Sequence, residues 1–169
     1  MRSSTFRLLL APLSLLAGLL TAAGPAVANT SHEGWPAITG VLLMNKQDQS
    51  RPLDARDGHG HNELLGGHGN DTIYAGPAGD VIWGDYKPSG QPATQVDHLN
   101  GGAGRDFIFA SHGTNFIEAN GGDDWVKAHF GRGSIDCGGG TDVLYISRKA
   151  QKHYKIRGCE TISHKTLGH

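Results

Sequence analysis

From Asp57 to Tyr145 the sequence repeats with a period of nine residues, and the eighth position of every unit is aliphatic: Leu64, Ile73, Ile82, Leu99, Ile108, Ile117, Val126, Ile135 and Leu144. Nine units, with an eight-residue insertion in the fourth, account for all 89 residues of the block. At so short a period a unit cannot bury its apolar side chain alone and must stack on its neighbours. A core assembled from a few long, unlike elements is therefore excluded.

The block differs in charge from what flanks it. Residues 57–145 carry 12 acidic side chains against 4 basic, whereas residues 146–169 carry 1 against 6, so a whole-chain net charge of −1 hides an acidic repeat and a basic tail. Of the 26 glycines, 20 lie in the repeat. Glycine at positions 1, 2 and 4 opens backbone conformations closed to other residues, which suits a tight turn over the first six positions. Positions 7 to 9 then form a short strand whose central side chain points inward.

Residues 1–28 have the form of a secretory signal peptide: Arg2 and Arg7, an apolar run from Leu8 to Ala23, and Ala26-Val27-Ala28 as a small-residue cleavage pattern. The mature, secreted chain is expected to begin at Asn29, with no membrane span, since the run is shorter than the roughly 20 residues a span needs. Export permits a disulfide, and Cys137 and Cys159, the only cysteines, are expected to form one intrachain bridge.

The units beginning at Gly66 (GGHGNDTIY) and Gly101 (GGAGRDFIF) match every defined position of G-G-x-G-x-D-x-U-x. The block thus resembles the RTX, or hemolysin-type, calcium-binding nonapeptide-repeat family. With the signal, the single insertion and the paired cysteines, the chain looks like small secreted actinobacterial members. The resemblance implies an all-β fold: a parallel β-roll, a right-handed β-solenoid of 18-residue coils with two sheets of short strands. Residues 29–56 would form an N-terminal segment or cap, and residues 146–169 a disulfide-tethered C-terminal cap.

It also implies calcium ions between successive coils, held by position-6 side chains and turn carbonyls, a hard-oxygen donor set suited to Ca2+. Units alternate sides, so position 6 sorts into an odd column, Asn62, Asp80, Asp106, Asp124 and Asp142, and an even column, Asp71, Asp97, Asn115 and Gly133. The metal ligands are expected to be Asn62, Asp71, Asp80, Asp97, Asp106, Asn115, Asp124 and Asp142, holding roughly three to five ions. The odd edge is the better furnished. Gly133 offers no side-chain donor, Asn115 no charge, and Ala78 stands where a turn glycine is expected.

His59, His61 and His68 could bind zinc or nickel, but solvated turn histidines are the preferred reading. Outward positions of the odd units form an aromatic stripe that includes Trp83, Phe107, Phe109, Trp125 and Tyr145. It is either a binding face for cell-wall glycan or a protein partner, or it is covered by residues 29–56, with Trp35 and Val41-Leu42-Leu43-Met44, or by the C-terminal segment; cover is favoured. The insertion, about Tyr86 to Val96, reads as a surface loop. The basic tail is expected to cap the roll rather than bind nucleic acid. No HExxH, GxSxG or Walker A pattern occurs, so a calcium-stabilised extracellular binding or surface module is expected. The alternative is a small solenoid enzyme acting on polysaccharide through the aromatic face.

Overall fold

The computed structural model describes residues 37–45, 51–85 and 92–166. Residues 1–36, which include the expected signal segment and Trp35, residues 46–50, residues 86–91 of the insertion and residues 167–169 lie outside them. In chain order the strands are β1 (Leu42–Met44), β2 (Leu53–Asp54), β3 (Glu63–Leu65), β4 (Thr72–Tyr74), β5 (Val81–Trp83), β6 (Val96–Asn100) and β7 (Phe107–Phe109). They continue with β8 (Thr114–Glu118), β9 (Trp125–Ala128), β10 (Arg132–Asp136) and β11 (Val143–Ile146). A single helical turn, α1 (Arg148–Gln151), then precedes β12 (Tyr154–Arg157) and β13 (Thr161–Ser163).

Odd strands form one seven-stranded sheet and even strands a six-stranded one, each in sequence order. Every pairing is parallel. The fold is the expected all-β parallel roll. Registry follows the repeat: Leu43, Leu64, Ile82, Ile108, Val126, Leu144 and Ile162 stand in line in one sheet. Leu53, Ile73, Leu99, Ile117, Ile135 and Ile156 do so in the other. The eighth-position residues from Leu64 to Leu144 are completely or almost completely buried, and Ala75, Ala110, Ala119, Ala128 and Cys137, at position 1, fill the space between the sheets.

The ladder runs past the nonapeptide block at both ends. Val41-Leu42-Leu43-Met44 was expected to be available as a cover; instead β1 extends the odd sheet, and its outward Leu42 and Met44 are exposed. At the other end the chain leaves the period at Ser147, whose side chain accepts from the Ala150 N–H to cap α1. β12 and β13 then each add a rung. The Cys137–Cys159 disulfide forms, with Cα atoms 5.1 Å apart, and Arg157 pairs with Asp136 at 2.7 Å.

Glycine plays two different parts in the turns. At positions 2 and 4 the backbone is left-handed, as at Gly102 (φ 93°) and Gly104 (φ 87°). At position 1 the demand is for space: a Cβ on Gly101 would lie 2.6 Å from both Asp106 Oδ2 and the Ala119 carbonyl.

Because each inward rung touches only the rungs above, below and opposite, a single truncation cannot be shared widely. Ile108→Ala, at a fully buried position, is expected to cost about 3 kcal/mol. Ile162→Ala, at the 41 % exposed last rung, should cost less than about 1 kcal/mol. Urea unfolding of the two variants in calcium checks the contrast.

Candidate metal centres

Each strand places its central residue inward, so the residue two before it, at position 6, is carried to the edge of the roll where the turn ends. Asn62, Asp71, Asp80, Asp97, Asp106, Asn115, Asp124 and Asp142 are all at most 1 % exposed. Along the odd edge they are linked by one repeated hydrogen bond. The N–H of Asn62 donates to Asp80 Oδ1 (2.6 Å), that of Asp80 to Asp106 Oδ1 (2.7 Å), that of Asp106 to Asp124 Oδ1 (2.8 Å) and that of Asp124 to Asp142 Oδ1 (2.8 Å). The even edge repeats it once, from Asp71 N–H to Asp97 Oδ1 (3.0 Å).

This ladder fixes one oxygen of each carboxylate that accepts in it, and Asn45 Nδ2 holds Asp71 Oδ1; the second oxygen of Asp80 accepts from Gly76 N–H and that of Asp97 from the Ser111 hydroxyl, and four others are left for something else. Oδ2 of Asp106, Asp124, Asp142 and Asp71 is buried without a hydrogen-bond partner. A buried, unpaired carboxylate oxygen is among the costlier arrangements in a protein and calls for a cation. The charge state reflects it. Burial, reinforced by Asp124 and Asp80, pushes Asp106 up to about 10. Burial raises Asp124 and Asp71 to about 6, with Asp142 and Asp97 respectively as repelling neighbours, and raises Asp80, Asp97 and Asp142 as well.

Among the described residues no three His, Cys, Asp or Glu side chains group into a ready-made metal cluster. The edges instead supply carboxylate oxygens singly, one per coil, beside glycine-turn carbonyls. That donor set fits Ca2+, which accepts many oxygens, including backbone carbonyls and water, in flexible geometry. It offers neither the nitrogen nor the sulfur donors of a zinc site.

The two asparagines are differently placed. Asn62 Oδ1 accepts from Val41 N–H while Nδ2 donates to Asp80 Oδ1 and the Gly60 carbonyl. Asn115 bonds Ser111 through both amide atoms and donates to the Tyr154 hydroxyl, which in turn donates to the Phe130 carbonyl. Gly133 pairs in register with Tyr154, so the tyrosine fills the place where the even column lacks a side chain. The upper even edge is thus satisfied by protein groups.

Three acceptors fall outside the position-6 pattern. Glu160, exposed and next to Cys159, takes the N–H of Asp142 on Oε2 (2.8 Å), extending the odd ladder by one coil. Asp85 and Gln95, flanking the insertion, are buried on the even edge. Only the spacing Asp124, Asp142, Glu160, eighteen residues at each step, pointed to the glutamate in the sequence.

Of the histidines, His59 is exposed, while a ring nitrogen of His61 meets the Gly79 carbonyl. The aromatic stripe is contiguous: Trp83 stacks on Phe109 with centroids 4.0 Å apart, and Trp125 contacts Phe107, Phe109 and Tyr145. Phe107 and Phe109 are nonetheless buried and form a second small core with Val81, while Trp83, Trp125 and Tyr145 are half-buried. The stripe is therefore not an open aromatic groove.

No curated protein and no solved structure matches the chain. A family model does: the RTX calcium-binding nonapeptide repeat, in four copies, over residues 58–85 and 94–126. Those stretches contain Asn62, Asp71, Asp80, Asp97, Asp106, Asn115 and Asp124, and the same hydrogen-bond ladder carries on beyond them to Asp142. Over these residues the roll carries repeats that match the RTX calcium-binding nonapeptide-repeat family.

Proposed function

We propose that the chain is a secreted module, without a catalytic role, whose roll is assembled and held by structural calcium. The observation that carries this is the row Asp106, Asp124 and Asp142: each has one oxygen committed to the neighbouring coil's backbone and the other buried and unpaired. Ions would lie between Asp80 and Asp106, Asp106 and Asp124, Asp124 and Asp142, and Asp142 and Glu160, with one more at Asp71 and Asp97, roughly five in all. Asn62 and Asn115, whose amides are spent on protein partners, would carry none.

Export is supported by the signal-like residues 1–28, and the mature amino terminus should be Asn29. A glycan or protein partner stays part of the reading as something the module could present itself to, but the burial of Phe107 and Phe109 takes the middle of the aromatic stripe away from such a role. That same burial supports a module over a polysaccharide-active enzyme.

Calorimetric titration of the mature chain with calcium tests the reading. The expected result is saturable binding of roughly five ions with dissociation constants on the order of 10⁻⁴ M, the range of extracellular modules. Asp124→Ala, which touches two inter-coil positions, should remove roughly two of them. A wild-type chain that takes up no calcium in the millimolar range would overturn it.

A further inference from the structure

The insertion brings new donors to the even edge. At position 2, where other units have Gly67, Gly76, Gly102 or Gly138, the fourth has Asp85, and the insertion returns to the sheet through Gln95. Both are buried, at 2 % and 4 % exposure. Gln95 Nε2 donates to Asp85 Oδ1, and the backbone N–H of His112 also bonds the Asp85 carboxylate. Asp85 Oδ2 and Gln95 Oε1 are left without partners, as is Asp71 Oδ2 on the same edge.

Beside Asp85 the backbone is tightly packed against the position-6 carboxylates. A Cβ on Gly66 would stand 2.2 Å from the Gly84 carbonyl oxygen and 2.9 Å from Asp71 Cγ, and one on Gly84 would stand 3.4 Å from Asp97 Oδ2. Gly84, one residue from Asp85, thus lies between the two position-6 carboxylates, its carbonyl on the Gly66 and Asp71 side and its Cα toward Asp97, whose Oδ2 also accepts from the Ser111 hydroxyl (2.6 Å). Asp97 acts electrostatically on both Asp71 and Asp85, and the cationic influence on that pair comes from His68. Among the described residues no lysine or arginine is ion-paired with any of the three. Three carboxylates have been taken out of water with histidines, and no paired lysine or arginine, to offset them.

We propose that Asp85 and Gln95 build a calcium site peculiar to the insertion, drawing on Asp71, Asp97 and the Gly84 carbonyl as neighbouring oxygen donors. The inference rests on the calcium reading above and adds to it two ligands that are not position-6 residues. The donors are two kinds of hard oxygen, carboxylate and amide, which suit Ca2+. A glutamine in place of a further carboxylate limits the negative charge the ion must offset.

The test compares Asp85→Asn with wild type by calcium calorimetry and by thermal melting. The asparagine can still accept from Gln95 and from the His112 N–H, so the fold is spared while the charge is lost. The expected result is one ion fewer, or one binding step weakened at least tenfold. Melting should separate the causes: in EDTA the variant should melt at or above wild type, relieved of a buried repulsion, and in saturating calcium below it. Gln95→Ala, which removes the amide oxygen and no charge, should weaken the same step. Asp106→Asn should weaken steps of the odd edge and leave this one in place. Unchanged stoichiometry and affinities in Asp85→Asn would overturn the site, as would an equal loss of melting temperature with and without calcium, the mark of a packing role. Should Asp85→Asn fail to fold, Gln95→Ala decides by the same readouts. A wild-type chain that binds no calcium removes the underlying reading as well, whereas calcium binding indifferent to both variants removes only this inference.

Discussion

Chelation of calcium is expected to loosen the roll: in EDTA the chain should lose much of its β-type circular dichroism and melt at a far lower temperature, and added calcium should restore both. The size of the effect follows from linkage. An ion at about twenty times its dissociation constant stabilises the form that binds it by about 1.8 kcal/mol, so roughly five such ions contribute about 9 kcal/mol. The whole stability of an ordinary domain is about 5–15 kcal/mol. The inner layer here, one aliphatic residue per strand and a small residue at position 1, is thin. It cannot replace the ions, because the coils it would hold together place buried carboxylates one above another from Asp80 to Asp142. A β-signal and melting temperature indifferent to chelation would mean that the ladder hydrogen bonds alone sustain the roll.

The parts of this architecture that the sequence displays are those in which one residue does one job at a fixed interval. Ile108 and Val126 are inward because position 8 has no other orientation available, and Asp106 and Asp124 reach the edge because position 6 precedes the strand. Where a job can be done by chemically different residues, the period is silent. Leu43 and Ile156 are full rungs of their sheets, yet no glycine turn announces them. Tyr154 serves the even column by lending a hydroxyl to Asn115 from a sequence separation of 39. Glu160 reaches the Asp142 N–H with a longer side chain than the pattern prescribes. Position-1 glycine was legible as a turn residue but for the wrong reason, since Gly101 makes room for Asp106 rather than adopting a left-handed backbone. The burial of Phe107 and Phe109 comes from packing against Val81, Trp83 and Trp125 on neighbouring strands of the same sheet face, which alternation along a single strand does not encode.

Acid is expected to act in opposite directions on the calcium-free and the calcium-loaded chain. In the calcium-free fold, burial raises Asp71 and Asp124 to about 6 and Asp85 to about 7, against an ordinary carboxylate value of 3.8 in the unfolded chain. From about pH 4 up to those values the folded chain therefore holds protons that the unfolded chain has released. Stability must fall as pH rises through this window, by about 1.4 kcal/mol per pH unit for each proton so held. Asp106, raised to about 10, prolongs the decline into alkaline solution. In EDTA, then, lowering the pH from 8 to 5 should raise the melting temperature and recover β-structure that chelation had removed. With calcium present, protons and ions compete for the same oxygens, so affinity should drop over the same interval and the melting temperature should fall with acid instead. Melting curves at several pH values, with EDTA and with excess calcium, should therefore cross. Curves that fall together on acidification would show that the position-6 carboxylates are charged and compensated in the metal-free fold, and that the unpaired Oδ2 atoms of Asp106 and Asp124 have found a partner other than an ion.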